Sequence, residues 1–157
     1  MTSSKWFAAI ALASVGAVAA ALVSQHVYGM EPCPWCVLQR LIFVAIAIVA
    51  AIGVVWRSRA GRWTIGLGTM VLADAGIAAA LWQHFVAAKS DSCNLTLADR
   101  IVGGLKLDSL LPDVFSPRAS CADAAVDLLG VPYEFWSLAL YLLISLAAVM
   151  VLLRSRA

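Results

Sequence analysis

Residues 33–56 read CPWCVLQRLIFVAIAIVAAIGVVW, two closely spaced cysteines followed by a long apolar run. About 20 consecutive apolar residues in an α-helix are enough to cross the hydrocarbon core of a membrane. The run from Val37 to Trp56 has that length, and its single charged residue, Arg40, lies near its start. We therefore predict a membrane-spanning helix with a Cys-x-x-Cys sequence at its mouth.

Three further apolar segments have the length of a membrane span, and the predicted spans are 6–23, 37–56, 63–86 and 135–153. Of the 157 residues, 63% are hydrophobic and 13% are charged, against about 25% charged residues in soluble domains. Backbone groups inside a bilayer must bond within their own segment, which favours helices. The predicted fold is an all-α integral membrane protein, a four-transmembrane-helix bundle that forms one membrane domain over 1–157.

The basic residues predict the orientation of the four spans. One set of span ends is flanked by Arg or Lys and by no acidic residue: Lys5, Arg57, Arg59, Arg62, Arg154 and Arg156. By the positive-inside rule, both termini and the 57–62 loop are cytoplasmic. The loops 24–36 and 87–134 are then periplasmic, in a bacterial inner membrane. The lipid bilayer is an expected partner, and nucleic acid is not. The first span also resembles a signal peptide, but its length favours retention.

All four cysteines fall in the two predicted periplasmic loops, where disulfides are the default state. Four cysteines allow three pairings, and the residues alone leave the pairing open. A bond between Cys93 and Cys121 would suit a structural staple, whereas a Cys33–Cys36 ring closes almost no loop and favours redox or metal chemistry. The remaining alternative is zinc, held by the cysteines alone or by Cys33 and Cys36 together with His26 and His84.

The residues around the Cys-x-x-Cys sequence favour redox chemistry. Pro34 suits the first turn of a helix, where its missing N–H costs nothing. Cys36 then lies in that first turn, where the positive end of the helix dipole favours a thiolate. Arg40 follows four residues later on the same face, about 6 Å along the axis. Its charge could favour the same thiolate or hold an oxygen of a ligand, although an arginine near a helix end can also extend to the lipid headgroups.

The sequence CPWCVLQR at the start of the second of four spans, with a later cysteine pair between spans three and four, resembles the bacterial disulfide bond formation protein B (DsbB) family. The resemblance runs nearly end to end. In the vitamin K epoxide reductase family, the alternative enzyme, the loop pair precedes the Cys-x-x-Cys sequence. A periplasm kept oxidising through DsbA, DsbB and quinone is the known pathway of the DsbB family.

The resemblance implies a thiol:quinone oxidoreductase that reoxidises a DsbA-like periplasmic thioredoxin-fold oxidase and uses ubiquinone or menaquinone. It implies that Cys93 and Cys121 receive electrons from that partner, that Cys121 then attacks Cys33, and that Cys36 passes the electrons to quinone. Arg40 matches the quinone-site arginine, and His84 resembles a histidine near the quinone. The alternatives are a vitamin K epoxide reductase-like enzyme and a disulfide-stapled or zinc-binding membrane scaffold.

Two smaller features carry predictions about local structure. Thr96 and Asp99 have the spacing of a helix capping box, followed by an apolar stripe over Leu97, Ile101, Val102 and Leu105. Such a helix would lie on the membrane surface or cover the end of the bundle. Asp74 falls in the middle of the third span, where we expect it to be protonated and hydrogen-bonded between helices.

Overall fold

The computed structural model of the chain describes residues 2–90 and 96–156. Four long helices dominate this part of the chain: α1 (Ser3–Tyr28), α2 (Pro34–Val55), α3 (Arg59–Phe85) and α7 (Tyr133–Arg156). Between α3 and α7 lie short elements: a 3₁₀ helix (Ala87–Lys89), α4 (Leu97–Gly104), α5 (Leu107–Leu110), α6 (Pro112–Phe115), and a hairpin of β1 (Asp127–Leu128) and β2 (Val131–Pro132).

The four long helices are apolar and long enough to cross a membrane. The prediction of a helical protein with four transmembrane helices is confirmed. The chain is a multi-pass membrane protein. Each helix is longer than the apolar segment read from the sequence, because polar ends such as Ser3 to Lys5 in α1 continue the helical backbone.

Local sequence explains where these helices begin and end. Gly29 follows α1 in the left-handed conformation, at φ 68°, and its N–H donates to the Ser24 carbonyl. Such a cap strongly favours glycine. Helix α2 begins at Pro34, as predicted from the missing N–H of proline, with Cys33 as the capping residue. Helix α3 begins after Ser58, whose hydroxyl accepts the Gly61 N–H at 3.0 Å.

Aromatic side chains pack the centre of the bundle against small residues. The Tyr141 ring of α7 stacks on Phe43 of α2, with 4.1 Å between ring centroids and 5° between planes. Its hydroxyl donates to the Gln39 carbonyl at 2.8 Å. Gly76 of α3 lies against the same ring, so closely that a Cβ there would overlap it. Helices in a membrane associate mainly through such close packing, because lipid tails are as apolar as leucine.

The polar pair Asp74 and Ser145 joins α3 to α7 on the outer face of the bundle. The Ser145 hydroxyl donates to Asp74 Oδ1 at 2.9 Å. Asp74 is exposed on the protein surface, so its carboxyl group faces outward and away from the packed interior. The predicted hydrogen bond of Asp74 between helices is therefore present.

Helix α4 covers the end of α2. The predicted capping box is confirmed, because the Thr96 hydroxyl accepts the Asp99 N–H at 3.3 Å and Asp99 Oδ2 accepts the Thr96 N–H at 2.8 Å. Val102 is buried together with Ala98, whereas Leu97 is 62% exposed. The predicted single stripe is therefore divided between an inward face and an outward face, which sequence spacing alone did not separate.

The segment after α6 is attached to the short loop that precedes α2. The N–H groups of Arg118 and Ala119 both donate to the Pro32 carbonyl, at 2.9 and 3.3 Å. These bonds bring the following residue pair, Ser120 and Cys121, to the mouth of α2. The long loop is thus positioned by backbone hydrogen bonds, which hydropathy patterns do not reveal.

Candidate active site

Three of the four cysteines meet at the mouth of α2. Cys33 is fully buried, and its sulfur lies 2.7 Å from that of Cys36. The Cys121 side chain also contacts Cys33. Cys33 therefore contacts both a cysteine of the second helix and a cysteine of the long loop. Cys93, the fourth predicted site residue, lies outside the described residues.

The start of α2 fixes the geometry of the Cys-x-x-Cys sequence. Cys33 is the N-cap residue, and its sulfur accepts the Cys36 N–H at 3.2 Å. An N-cap side chain that bonds the third helical N–H satisfies one of the free donors of the first turn. Because Pro34 needs no such acceptor, the cap and the turn are compatible. The same turn therefore holds both sulfurs at one place.

The two cysteines outside the membrane-spanning helices differ in acidity. Burial raises the pKa of the Cys33 thiol, and its contacts with the Cys121 and Cys36 sulfurs raise it further. The pKa of Cys121 is lowered, chiefly because the Cys33 thiol donates a hydrogen bond to it, with a smaller contribution from the Trp35 backbone N–H. A shared proton thus stays on Cys33, and Cys121 is the better nucleophile of the two.

Two hydrogen-bonded glutamines lie beside Cys36, and one of them bonds its sulfur. The Gln83 amide of α3 donates to Cys36 Sγ at 3.3 Å, and its oxygen accepts a 2.6 Å bond from the Gln39 amide. Both glutamines are 4% exposed. A buried amide held by a second amide has a fixed orientation, so its donor points at the sulfur. Hydrogen bonds to a charged acceptor are roughly twice as strong as neutral ones, which favours a thiolate at Cys36.

Arg40 lies one turn deeper in α2 and is 6% exposed. Its Nη1 donates to Gln25 Oε1 at 2.6 Å and to the Val114 carbonyl at 3.0 Å, while Nη2 donates to the Ala21 carbonyl at 3.3 Å. These acceptors are all neutral. Among the described residues no carboxylate pairs with Arg40, so its positive charge remains available to the nearby sulfur and to a ligand.

An apolar cavity of about 540 Å³ opens beside these side chains. It lies between α1, α2 and α7, and its polar wall includes Cys36, Arg40, Gln83 and Glu134. Small residues of α1, such as Ala17 and Ala21, leave the space open. Small-molecule sites are typically cavities of roughly 300–1,000 Å³ with a few polar groups in an apolar wall. Cys36 and Arg40 therefore share the wall of a cavity whose size and mainly apolar lining suit a small-molecule ligand.

His84, which the resemblance places near the quinone, lies one side chain away from the cavity. Its ring does not line the cavity, but Nδ1 lies 2.6 Å from Glu134 Oε1. Glu134 is 4% exposed and does line the cavity, whereas His84 is 28% exposed. The histidine therefore reaches the cavity only through the glutamate.

Four polar residues of the site were not predicted from the sequence: Gln25, Gln39, Gln83 and Glu134. A signal was present for Gln25, Gln39 and Gln83, because polar residues inside apolar helices are uncommon and usually functional. Glu134 had no such signal, since it stood at the edge of a predicted span in a loop rich in acidic residues.

The zinc alternative required the cysteines to gather further ligands. Within 2–90 and 96–156, the structure contains no cluster of three or more histidine, cysteine or carboxylate side chains arranged to hold a metal. His26 instead contacts the Asp113 carbonyl through Nε2 at 3.3 Å. His84 is engaged by Glu134.

Comparison with known proteins gives the family. The model of the family described as Disulfide bond formation protein DsbB matches residues 3–151. The chain belongs to the DsbB family. Three relatives show how far the similarity of this DsbB-family chain extends, and each covers most of both proteins.

Disulfide bond formation protein B of Cupriavidus metallidurans is 32% identical over 153 residues, 97% of this chain and 94% of that protein. Disulfide bond formation protein B 1 of Pseudomonas savastanoi pv. phaseolicola is 35% identical over 150 residues, 94% of this chain and 86% of that protein. Disulfide bond formation protein B of Burkholderia pseudomallei is 31% identical over 148 residues, 94% of this chain and 88% of that protein. The chain is therefore a DsbB-family membrane protein of disulfide bond formation.

Proposed function

We propose that this protein is a thiol:quinone oxidoreductase of the bacterial inner membrane. It reoxidises a DsbA-like periplasmic thioredoxin-fold oxidase and passes the electrons to ubiquinone or menaquinone. Residues 1–157 act as one membrane domain, with both termini cytoplasmic and the cysteines periplasmic. The observation that carries the proposal is the contact of Cys33 with both Cys36 and Cys121 beside a cavity that Cys36 and Arg40 line.

The first exchange takes place on the long loop. A thiolate of the reduced partner attacks Cys93 of a Cys93–Cys121 disulfide, forms a mixed disulfide and releases Cys121 as the thiolate. The partner's second thiol then resolves the mixed disulfide. The bond from the Trp35 backbone N–H lowers the pKa of Cys121 without involving the Cys33 thiol, and a sulfur with a low pKa leaves faster.

The second exchange carries the electrons to the cavity. The Cys121 thiolate attacks Cys33 of a Cys33–Cys36 disulfide, so the Cys33–Cys121 bond forms and the Cys33–Cys36 bond breaks. Cys36 leaves with the electron pair as a thiolate. The thiolate of Cys93, freed when the partner departs, then attacks Cys121, which re-forms the Cys93–Cys121 disulfide and releases Cys33.

The Gln83 N–H and the charge of Arg40 stabilise the Cys36 thiolate. Cys36 is therefore a better leaving group than a cysteine without these neighbours.

The cavity fits a quinone head group by its chemistry. Its wall is mostly apolar, and its polar groups lie on one side, where Cys36, Arg40 and Gln83 can face a ring and its oxygens. A quinone bound there would accept two electrons from the thiol system and would take up two protons. Because the cavity is bordered by membrane-spanning helices, a lipid-soluble ligand can approach it from the bilayer.

The test is a quinone-reduction assay on detergent-purified protein. We expect the absorbance of a ubiquinone or menaquinone analogue to fall only when the reduced DsbA-like partner is present, and not with Cys36→Ser. Asp74→Asn serves as the matched control, because it changes a polar group of the bundle that does not line the cavity. We expect it to behave as wild type.

A structural staple gives the opposite result. Its cysteines stay oxidised when the reduced partner is added, so alkylation followed by mass spectrometry finds no new thiols. If folded, metal-free wild-type protein with the reduced partner lowers the absorbance of neither the ubiquinone nor the menaquinone analogue, the oxidoreductase proposal is refuted.

A further inference from the structure

A buried carboxylate stands between the cavity and the surface of the bundle. Glu134 lines the cavity at the start of α7 and is 4% exposed. Its Oε1 lies 2.6 Å from Nδ1 of His84 on α3, and that side chain is 28% exposed. A hydrogen-bonded acid and imidazole thus form a continuous polar path from the cavity wall to the outside.

This path answers a chemical requirement of the proposed function, on which the inference rests. Reduction of a quinone to a quinol consumes two electrons and two protons. The electrons come from the Cys33 and Cys36 sulfurs as they close to a disulfide, but Cys36 reacts as a thiolate and has already lost its proton. Cys33 releases its proton as the disulfide closes, but Cys33 does not line the cavity. The protons must therefore reach the quinone by another route.

We propose that Glu134 is a proton-transfer residue of the cavity and that His84 connects it to the aqueous surface. The Glu134 carboxyl group gives a proton to a quinone oxygen as the electrons arrive from sulfur. The resulting carboxylate takes a proton from His84 Nδ1, and the imidazole regains one from water at its exposed edge. Two such transfers supply the two protons, and neither residue is consumed.

The surroundings of the pair favour this role over that of a simple tie between helices. The His84 ring packs against Phe135, at 4.5 Å between ring centroids, and against Phe85, at 4.9 Å, so its orientation is fixed. A tie between α3 and α7 already exists at Asp74 and Ser145, outside the cavity. An ionisable side chain buried within a transmembrane segment is expensive and is usually functional.

The decisive variant is Glu134→Gln, which keeps the volume and an oxygen that accepts the His84 N–H but cannot carry a proton. General acid–base catalysis typically contributes 10²–10⁴-fold. We expect quinol formation by pre-reduced protein to slow by about 100-fold in Glu134→Gln, with a flattened pH profile. Glu134→Asp should recover part of the rate, and Asp74→Asn, the matched carboxyl control, should match wild type.

The pH profile has to be read against the other titratable groups of the cavity. Those groups are Cys36 and Arg40 on α2 and Tyr133 at the start of α7, whereas the lining residues of α1 include none. Because the Gln and Asn variants leave all of them unchanged, a difference between the two profiles belongs to the Glu134 carboxyl group.

A second readout needs neither quinone nor turnover. In quinone-free protein, an infrared spectrum taken across a pH series identifies the Glu134 carboxyl band by its loss in Glu134→Gln. On transfer to D₂O the band shifts as the proton exchanges. We expect this exchange to be at least tenfold slower in His84→Phe than in wild type or Asp74→Asn, because the path to water is cut.

Three outcomes decide the matter. Wild-type protein that reduces quinone, with Glu134→Gln equal to it in rate and pH profile, overturns the proton-transfer role. Wild-type protein that reduces no quinone instead refutes the proposed function, and the D₂O exchange then decides alone whether Glu134 communicates with water through His84. Exchange that is equally fast in His84→Phe overturns the role of the histidine.

Discussion

Cys33 and Cys121 are chemically identical side chains that the fold makes unequal. Burial and two sulfur neighbours keep the proton on Cys33, while the hydrogen bond from Cys33 favours the thiolate of Cys121. A lowered pKa means that the thiolate fraction of Cys121 rises at a lower pH than for an ordinary thiol, whose pKa is about 8.5. For Cys33, the raised pKa shifts that rise to a higher pH.

We therefore predict that alkylation of reduced protein separates the two residues by pH. In a Cys93→Ser background, Cys121 has lost its loop partner. There, the pH at which iodoacetamide reacts with Cys121 at half its maximal rate should lie below about 8.5. Cys33 should remain unmodified there. Peptide mass spectrometry after timed quenching measures both residues in one sample.

The control for this prediction removes the donor. In Cys33→Ala the hydrogen bond to the Cys121 sulfur is lost, so the pH midpoint at Cys121 should move upward. The comparison uses midpoints rather than absolute rates, because the two thiols also differ in exposure. An unchanged midpoint in Cys33→Ala would show that Cys33 does not control the acidity of Cys121.

The residues of the site were partly predictable from the sequence. The Cys-x-x-Cys pair and Arg40 follow from spacing on one helix, since residues four apart share a face. Gln83 and Glu134 come from helices that are distant in the chain, and their approach to Cys36 and His84 depends on how α3 and α7 pack. The proposed quinone role of His84 carried over from the resemblance, but in this chain Glu134 stands between that histidine and the cavity.

At the scale of single elements, the contact between α3 and α7 depends on a glycine. A Cβ at Gly76 would overlap the Tyr141 ring, which is fully buried and stacked on Phe43. In contrast, Gly68 on the same helix has no atom within 4 Å of the position that its Cβ would take. The two glycines therefore differ in packing while sharing one helix.

We predict that Gly76→Ala destabilises the protein by about 1–3 kcal/mol, the usual cost of overpacking a filled interior. Thermal unfolding of detergent-purified protein should show a lower Tm. Gly68→Ala is the matched control and should change stability by no more than about 1 kcal/mol, since only its helix propensity changes. Equal unfolding curves for both variants would mean that Tyr141 moves aside without loss.

The elements were predictable to different degrees for a physical reason. Four long apolar runs specify four helices, because a bilayer requires internal backbone bonding wherever it is crossed. The capping box before α4 was also legible, since it is a local pattern of two side chains. The hairpin of β1 and β2 is too short to show a periodic pattern, and its turn relies on Leu129 and Gly130 at φ 57° and 79°.

At the scale of the whole molecule, charge divides the bundle into two unlike ends. One end carries arginine and lysine with no acidic side chain, including Arg57, Arg59 and Arg62 between α2 and α3. The opposite end carries the long loop with its mixed charges and the three described cysteines. A membrane protein retains its basic loops in the cytoplasm, so the sequence predicts which end faces the periplasm.

Two matched reporter cysteines test this predicted orientation, in a protein with all four native cysteines changed to serine. Ser58→Cys lies in the arginine-rich loop and Ser109→Cys in α5, and both positions are exposed. In cells with a permeable outer membrane and an intact inner membrane, a membrane-impermeant maleimide should label Ser109→Cys alone. Disrupting the inner membrane should expose both, which controls for reactivity. Labelling of Ser58→Cys in intact cells would contradict the predicted orientation, because it would place the arginine-rich loop in the periplasm. The native cysteines would then face the reducing cytoplasm, where a disulfide-forming enzyme could not maintain its oxidised pairs.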